Sequence, residues 1–330
     1  MAKVNKRLAV LVGCNYPNTQ YELHGCVNDV VAMRDVLINR FGFKQMNIKL
    51  LTDAPAAAGE GSSSSVVLPT GANIKAALGK MVSQAEAGDV LFFHYSGHGT
   101  RVPNLKPAHV FRQDEAIVPA NFNLITDMDF RQLVNRVPEG ASFTILSDSC
   151  HSGGLIDKEK EQIGPSTYKT TSSSLSYKPK TIPFESILHH LSALTGINSS
   201  DIGTHLLESF GANASLKFLV PQLNSDLFKF LKPDEGILLS GCQADETSAD
   251  MNPMTSTERG GKAYGAFSNA IQMVLKDNSG GLSNKQVVTM ARKVLEAQGF
   301  DQHPCLYCSD RNADATFLSR PDYKPSVLGI

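Results

Sequence analysis

The sequence predicts one α/β domain built on a mainly parallel sheet, and three observations predict it. Short apolar strands alternate with helical patterns along most of the 330 residues, an order typical of parallel sheets that helices cover on both faces. Two strands end in histidine, cysteine, aspartate and glycine, at the edge where open parallel sheets bind ligands. The alternation stops between Asp157 and Pro183, where Ser, Thr, Lys and Pro predict a long exposed insertion.

The elements before the insertion follow one another at regular intervals. The apolar run at 8–14 is short and lacks a clean cleavage site, which predicts a first strand over 7–12 and not a signal peptide. Residues 28–41 place Val36 and Leu37 among charged residues, which predicts a helix. The same alternation predicts strands at 48–51, 89–95, 116–118 and 142–147, and helices at 73–85 and 128–137.

Regular elements resume after the insertion. A second low-complexity piece, at 56–65, is rich in serine and is predicted to be a surface loop. The later part of the chain predicts short helices at 184–194 and 201–210, a strand at 236–240, helices at 266–275 and 285–298, and a short strand near Cys305.

Composition excludes several classes of function. A net charge of −1 gives no reason to expect nucleic acid or an anionic membrane as a partner. No apolar run approaches the roughly 18 residues that a membrane-spanning helix needs. The six cysteines show no framework spacing, which predicts reduced thiols and synthesis in the cytosol.

Two strand ends carry residues suited to thiol chemistry. One is "VLFFHYSGHGT", which contains His94 and His98, and the other is "FTILSDSCHSGG", which ends at Cys150. A thiol attacks a carbonyl as thiolate, and a histidine both takes its proton and returns it to the leaving amine. His98 is the candidate base, and the N–H groups of Gly99 and Cys150 are candidates for an oxyanion hole. The alternative is an inert buried cysteine, the usual state of a lone thiol at a strand end.

These residues and their surroundings resemble the metacaspases, caspase-related peptidases of plants, fungi and protists. His98 precedes Cys150 by 52 residues, close to the interval of about 50 in caspases, while "HYSGHGT" and "DSCHSGG" look like metacaspase motifs. The resemblance extends over nearly the whole chain through "GCNYPNT", "LHGCVNDV", "GCQADETSAD" and "AYGAFSNAI". With no proline-rich or zinc-finger prodomain before its first strand, and with a long insertion, the chain is most similar to plant type II metacaspases and to their metacaspase-9 group.

The resemblance implies a caspase-like fold in three parts. A large catalytic segment would span 1–157, a linker with the self-cleavage region and short helices 158–235, and a small segment completing the sheet 236–330. It assigns Cys150 as the nucleophile and His98 as the general base and acid.

The resemblance also implies cleavage after arginine or lysine. Asp148 stands two residues before Cys150 and would face the same side of an extended chain. Asp29, in "HGCVND", aligns with the family's second pocket acid, although locally it is equally explained as an acid at a helix N-terminus. Two carboxylates in a pocket repel each other unless a cation joins them, and a substrate side chain would supply that cation.

A peptidase of this specificity would find its nearest substrate in its own insertion, which contains Lys169, Lys178 and Lys180. Lys180, in "YKPKTIPFESIL", best matches the position at which close relatives cut themselves, whereas cleavage after Lys178 would meet Pro179. The alternative is a solvated loop lysine. The sequence therefore predicts an inactive precursor that is activated by cleavage at Lys180.

Calcium is a candidate cofactor from the resemblance, although the chemistry itself requires none. Hard oxygen ligands suit this ion, and Asp127 and Asp157 best match the family's calcium site. Asp114 and Asp129 are further candidates, and Asp129 is equally a candidate helix cap. Many metacaspases need calcium, whereas members of the metacaspase-9 group have little requirement for it, so the resemblance is consistent with either.

Two further groups of thiols have alternative explanations. Cys26 is a candidate secondary thiol near the cleft, with buried packing as the favoured alternative. "HPCLYCSD" offers His303, Cys305 and Cys308 as zinc ligands, but a structural zinc site normally needs four ligands. Because Cys305 and Cys308 would point to opposite faces of a strand, packing is favoured here as well.

The sequence therefore predicts a monomeric, cytoplasmic cysteine endopeptidase that acts on proteins with Arg or Lys before the scissile bond. Proteinaceous inhibitors are candidate partners, and release to the extracellular space would follow cell death. A role in programmed cell death or wound signalling is implied by the resemblance. The alternatives are a catalytically silent scaffold and a thiol redox protein that uses Cys305 and Cys308.

Overall fold

The computed structural model describes most of the chain, including nearly all predicted helices and strands. The described residues are 5–53, 67–103, 113–151, 155–156, 160–164, 177–219, 236–243, 246–251 and 262–319. The predicted surface loop at 56–65 lies outside them. None of the described helices is both long and apolar enough to cross a bilayer.

The long elements predicted from sequence are present, with ends that differ by at most three residues. The strands are β1 Arg7–Gly13, β2 Ile48–Thr52, β3 Val90–Ser96, β4 Gly99–Pro103, β5 Gln113–Ile117, β6 Ile125–Thr126, β7 Ser142–Asp148, β8 Glu161–Ile163, β9 Lys178–Pro179, β10 Ile237–Ser240, β11 Ala249–Met251, β12 Tyr264–Gly265 and β13 Cys305–Tyr307. The helices are α1 Cys26–Asn39, α2 Gly71–Ser83, α3 Asp127–Asn135, α4 Phe184–Thr195, α5 Ile202–Phe210, α6 Leu216–Leu219, α7 Ala266–Asp277, α8 Asn284–Ala297 and α9 Asp310–Asp314.

The core is a seven-stranded sheet in the order β2-β1-β3-β7-β10-β13-β8. Neighbouring strands from β2 to β10 run parallel, and β13 is antiparallel to both β10 and β8. Successive side chains of β1 enter different clusters: Leu8, Val10 and Val12 pack with α2 and α3, whereas Ala9 and Leu11 pack with α1, α7 and α8. Burial on both faces explains why the central strands are continuously apolar.

The end of the insertion differs from the exposed segment that the sequence predicts. Lys180 and Ile182 are fully buried. The reason is tertiary pairing, because β9 pairs with β11 in a second, three-stranded sheet, and Thr181 bridges to Gly99 at the start of β4. Ile182 packs in an apolar cluster with α4 and α5. This part of the insertion thus lies across the carboxyl ends of β3 and β7.

Candidate active site

Parallel pairing brings the two predicted strand ends together. Ser96 at the end of β3 pairs with Asp148 at the end of β7, so that His98 and Cys150 both follow from the same edge of the sheet. The backbones are in close contact there, because a Cβ atom at Gly99 would overlap the carbonyl oxygen of Cys150. Glycine is therefore required at position 99 by space.

The insertion places one backbone carbonyl between these strand ends. The carbonyl oxygen of Lys180 accepts hydrogen bonds from the N–H groups of Gly99, at 3.0 Å, and Cys150, at 3.2 Å. On either side, Lys180 N–H donates to the Ser248 carbonyl at 2.9 Å, and Ile182 N–H donates to the Gly99 carbonyl at 3.1 Å. Two N–H groups on one carbonyl oxygen beside a thiol form the arrangement in which a thiol can attack an amide.

The Cys150 side chain is fully buried at this point. Its Sγ atom accepts a hydrogen bond from the N–H of Ser248 at 3.0 Å. The Ser248 carbonyl holds the backbone of Lys180. The same residue thus contacts both the predicted nucleophile and the chain that occupies the cleft.

His98 is held in one orientation by its neighbours. Its Nε2 atom donates to the carbonyl of Tyr21 at 2.7 Å, which leaves the lone pair on Nδ1. Within the described part of the chain, Nδ1 has no hydrogen-bond partner. Burial lowers the pKa of His98 to about 4, so the ring is neutral near pH 7.

Tyr16, which sequence reasoning missed, fixes the backbone of His98. Its hydroxyl accepts the His98 N–H at 3.0 Å, and its ring centroid lies 4.7 Å from that of the imidazole. Tyr16 stands in the quoted motif "GCNYPNT", but nothing in one sequence assigns it to the histidine.

The ammonium of Lys180 lies in a closed acidic pocket. Its Nζ atom lies 3.1 Å from an oxygen of Asp148, 3.5 Å from one of Asp29, and donates to the Ser96 hydroxyl at 2.9 Å. All four side chains are buried. The structure therefore brings both predicted pocket acids onto one cation, and the alternative of a solvated loop lysine is wrong.

Burial and charge act in opposite directions on these groups. Burial raises the pKa of Asp29 to about 7, because the opposing effect of Lys180 is smaller and Asp148 adds repulsion. Burial also disfavours the charged form of Asp148, but Lys180 and the N–H of Ser268 lower its pKa overall. Burial opposes the charge of Lys180 as well, yet Asp148 and the other neighbouring acids outweigh it and raise the pKa of the ammonium. Asp148 is thus the more firmly ionised member of the pair.

The donors that hold the two carboxylates come from distant parts of the chain. Gly265 N–H contacts both oxygens of Asp29, at 2.9 and 3.0 Å. The Ser248 hydroxyl and the Ser268 N–H each donate to Asp148 at 2.9 Å. These residues lie in the motifs "GCQADETSAD" and "AYGAFSNAI", which mark them as unusual without assigning them to the pocket.

His94 and Cys26 are buried beside the pocket. His94 contacts the Ser268 hydroxyl at 3.0 Å through Nε2, and burial lowers its pKa to about 3. Cys26 lies in the core cluster, and burial raises its pKa well above the usual range although Lys180 opposes this. Both positions agree with packing or orienting roles.

The described calcium candidates are each engaged elsewhere. Asp127 lies 3.9 Å from Arg131, and Asp114 pairs with Lys217. Asp129 caps α3 by accepting the Thr126 N–H at 2.9 Å. Asp157 lies outside the described residues, and within them no group of three acidic, histidine or cysteine side chains could hold a metal. Calcium binding therefore stays a prediction from the resemblance.

The three candidate zinc ligands, for which packing is the favoured interpretation, also have other contacts. Cys305 and Cys308 pack in the clusters on opposite faces of the sheet, as the strand pattern predicts. His303 Nδ1 contacts Glu246 at 2.6 Å. Packing on opposite faces of the sheet accounts for the two cysteines.

Comparison with known proteins agrees with this geometry. A family model described as the caspase domain matches residues 6–316. Metacaspase-9 from Arabidopsis thaliana is 62% identical over 96% of this chain and 98% of its own length. This chain belongs to the metacaspases. The metacaspase is also 40% identical to metacaspase-6 from the same plant, over 94% of this chain and 99% of that protein.

Two solved structures share the fold of this metacaspase. Protein GSU0716 from Geobacter sulfurreducens has a TM-score of 0.52 at 20% identity, covering 96% of this chain and 99% of that one. Caspase-1 from Spodoptera frugiperda has a TM-score of 0.50 at 10% identity, covering 97% and 92%. The predicted caspase-like fold is confirmed, and the family is one of cysteine peptidases.

Proposed function

We propose that this metacaspase is an endopeptidase that cleaves after lysine or arginine and first cuts its own chain after Lys180. The observation that carries the proposal is the position of Lys180, whose carbonyl oxygen accepts two N–H groups while its ammonium lies between two buried carboxylates. A substrate residue would be held by the same contacts.

In this proposal Cys150 is the nucleophile and His98 the base. Nδ1 of His98 takes the thiol proton, the sulfur attacks the Lys180 carbonyl carbon, and the N–H groups of Gly99 and Cys150 stabilise the oxyanion. His98 then returns the proton to the amine of Thr181, which leaves as a new N-terminus. Water releases the acyl group from Cys150 in a second step that uses the same base.

Specificity follows from the charge of the pocket. Asp29 and Asp148 are both buried, and a neutral or acidic side chain in place of Lys180 would leave two facing carboxylates without a cation. A guanidinium can replace the ammonium because it carries the same charge and more donors. Aspartyl peptides would add a third negative charge.

Similarity to plant metacaspases also supports a proposal for the cellular role of the enzyme. The chain would be made as a cytoplasmic monomer and processed during cell death or wounding, with release from dying cells. Proteins with exposed lysine or arginine would be its substrates, and proteinaceous inhibitors would occupy the same cleft.

The proposal is tested by intact mass of freshly purified protein, incubated at several pH values with and without calcium. Wild type and Lys180→Arg are expected to yield fragments that meet after residue 180, whereas Cys150→Ala and Lys180→Gln stay whole. Lys178→Gln is the matched control, because Lys178 is exposed and should not affect the cut. Cleavage in Cys150→Ala would contradict the assignment of the nucleophile.

Peptide substrates test specificity separately from processing. Peptides with arginine or lysine before the scissile bond are expected to be cleaved, and the matching aspartyl peptide is not. Comparable turnover of the aspartyl peptide would exclude the proposed pocket.

A further inference from the structure

A second thiol, Cys242, lies beside Cys150. Ser240 at the end of β10 pairs with Ser147 of β7, and Gly241 N–H donates to the Ser147 carbonyl at 2.8 Å. The segments that follow β10 and β7 therefore leave the sheet side by side. Cys242 comes two residues after Ser240, and Cys150 comes three residues after Ser147. Sequence patterns do not indicate this proximity, because the two cysteines are 92 positions apart in the chain.

The side chain of Cys242 contacts the backbone next to the predicted nucleophile. Its Sγ atom lies 3.7 Å from the carbonyl oxygen of Ser149, which belongs to the peptide unit that enters Cys150. The Cys150 side chain, followed by burial, raises the pKa of Cys242 well above its usual range. Both thiols are free and fully buried. Disulfides require a Cα separation of about 4.4–6.8 Å, a range that includes the spacing of about 4.7–4.9 Å between paired strands such as those that lead to the two cysteines.

We propose that Cys150 and Cys242 form a reversible disulfide when hydrogen peroxide oxidises the enzyme. Cys242 is then the resolving thiol, which reacts with the oxidised sulfur of Cys150. The resulting disulfide inactivates the peptidase until it is reduced. The inference rests on the proposed function in one respect, that Cys150 is the nucleophile.

The reaction balances in two steps. The Cys150 thiolate attacks peroxide, the O–O bond breaks, and the sulfur becomes a sulfenic acid while hydroxide leaves. The sulfur of Cys242 then attacks the sulfenic sulfur, so that the S–S bond forms and the S–O bond breaks. The Cys242 proton leaves with the hydroxyl group as water. In total, two thiols and one peroxide give one disulfide and two waters.

The alternative is that Cys242 is only a packed, inert thiol. Its Sγ also contacts the carbonyl of Glu246 at 3.6 Å, so the side chain is satisfied without any chemistry. In that case Cys150 would oxidise beyond the sulfenic acid to sulfinic acid, which dithiothreitol does not reduce. The two alternatives therefore differ in product and in reversibility.

The test uses full-length protein treated with increasing hydrogen peroxide, alkylated at its free thiols, digested without reduction and analysed by mass spectrometry. The expected product is a peptide pair linked through Cys150 and Cys242, together with a loss of peptidase activity that dithiothreitol reverses. Cys242→Ser is expected to start with unchanged activity, then lose it irreversibly as Cys150 becomes sulfinic acid. Cys308→Ser is the control and should behave as wild type.

The linked peptide is measured on the wild type, so the result does not depend on the folding of a variant. Sulfinic acid at Cys150 in wild type and Cys242→Ser alike, or a link from Cys150 to a different cysteine, would overturn the inference. Failure of the disulfide inference can be distinguished from failure of the proposed peptidase function, because the linked peptide is detected without any substrate. Cleavage after lysine with no link removes the disulfide alone, whereas a link with no cleavage removes the proposed peptidase.

Discussion

The two pocket acids, Asp29 and Asp148, are held by different sets of donors. Asp148 accepts hydrogen bonds from Ser248 and Ser268 and lies nearer to the Lys180 ammonium, at 3.1 Å. Asp29 lies 3.5 Å from the ammonium, and burial raises its pKa to about 7. Asp29 is consequently the acid whose charge changes between mildly acidic and neutral pH.

Replacing Asp29 should therefore change the pH dependence of stability. Because its pKa is raised on folding, the folded protein binds more protons than the unfolded chain between about pH 4 and pH 7, and the contribution of Asp29 falls as pH rises through that window. Asparagine does not titrate. The comparison is made in the uncleavable Cys150→Ala background. As the pH rises through this window, the free energy of unfolding of Asp29→Asn should increase relative to that of its parent by up to about 1.4 kcal/mol per pH unit.

Urea unfolding of both proteins between about pH 5 and pH 8 measures this difference. Glu208→Gln, at an exposed helix position, is the control and should give a constant offset. A constant offset for Asp29→Asn as well would show that Asp29 does not titrate in this range.

At the scale of elements, β12 shapes the pocket through the glycine at its end. A Cβ atom at Gly265 would overlap the Lys180 ammonium and an Asp148 oxygen, and would lie 2.5 Å from Asp29. Gly265→Ala is expected to slow self-cleavage and peptide turnover by roughly 5- to 150-fold, since overpacking costs about 1–3 kcal/mol.

Gly79→Ala is the matched control for this prediction. Gly79 lies within α2, and a Cβ atom there would meet nothing within 4 Å. It should leave cleavage unchanged and stabilise the protein by about 1 kcal/mol, because alanine is the better helix former. Equal activity of the two variants in a timed cleavage assay would show that the pocket has more room than the structure indicates.

The elements also show why some of the structure could be predicted and some could not. The long strands and helices follow from apolar runs and helical spacing, because burial of those side chains dominates their stability. The two-residue strands β9 and β12 have no such pattern and depend on pairing with β11, which is distant in sequence from β9. His98, Cys150 and the two acids stand in recognisable motifs, whereas Ser248 and Gly265 act through backbone positions that only the fold defines.

At the scale of the whole molecule, the parts before and after Lys180 share one core. β7 and β10 are adjacent parallel strands in the sheet, and both large apolar clusters contain residues from each part. Breaking one peptide bond in the cleft removes none of these contacts.

The fragments of the processed enzyme should therefore remain together. They are expected to elute as one species with the volume of uncut Cys150→Ala in gel filtration, and to separate only in denaturant. Separate peaks in native buffer would mean that the linker is needed to hold the two parts together.

Lys180 is tethered to the cleft that it occupies, and this tether would set the rate of the proposed first cut. A tethered residue acts at a local concentration of roughly millimolar or more, whatever the amount of protein in solution. Dilution would then not slow activation, and foreign peptides would compete poorly until the bond is broken. A cell could store such a precursor in quantity while neighbouring proteins stay intact, and each molecule would mature independently of the others.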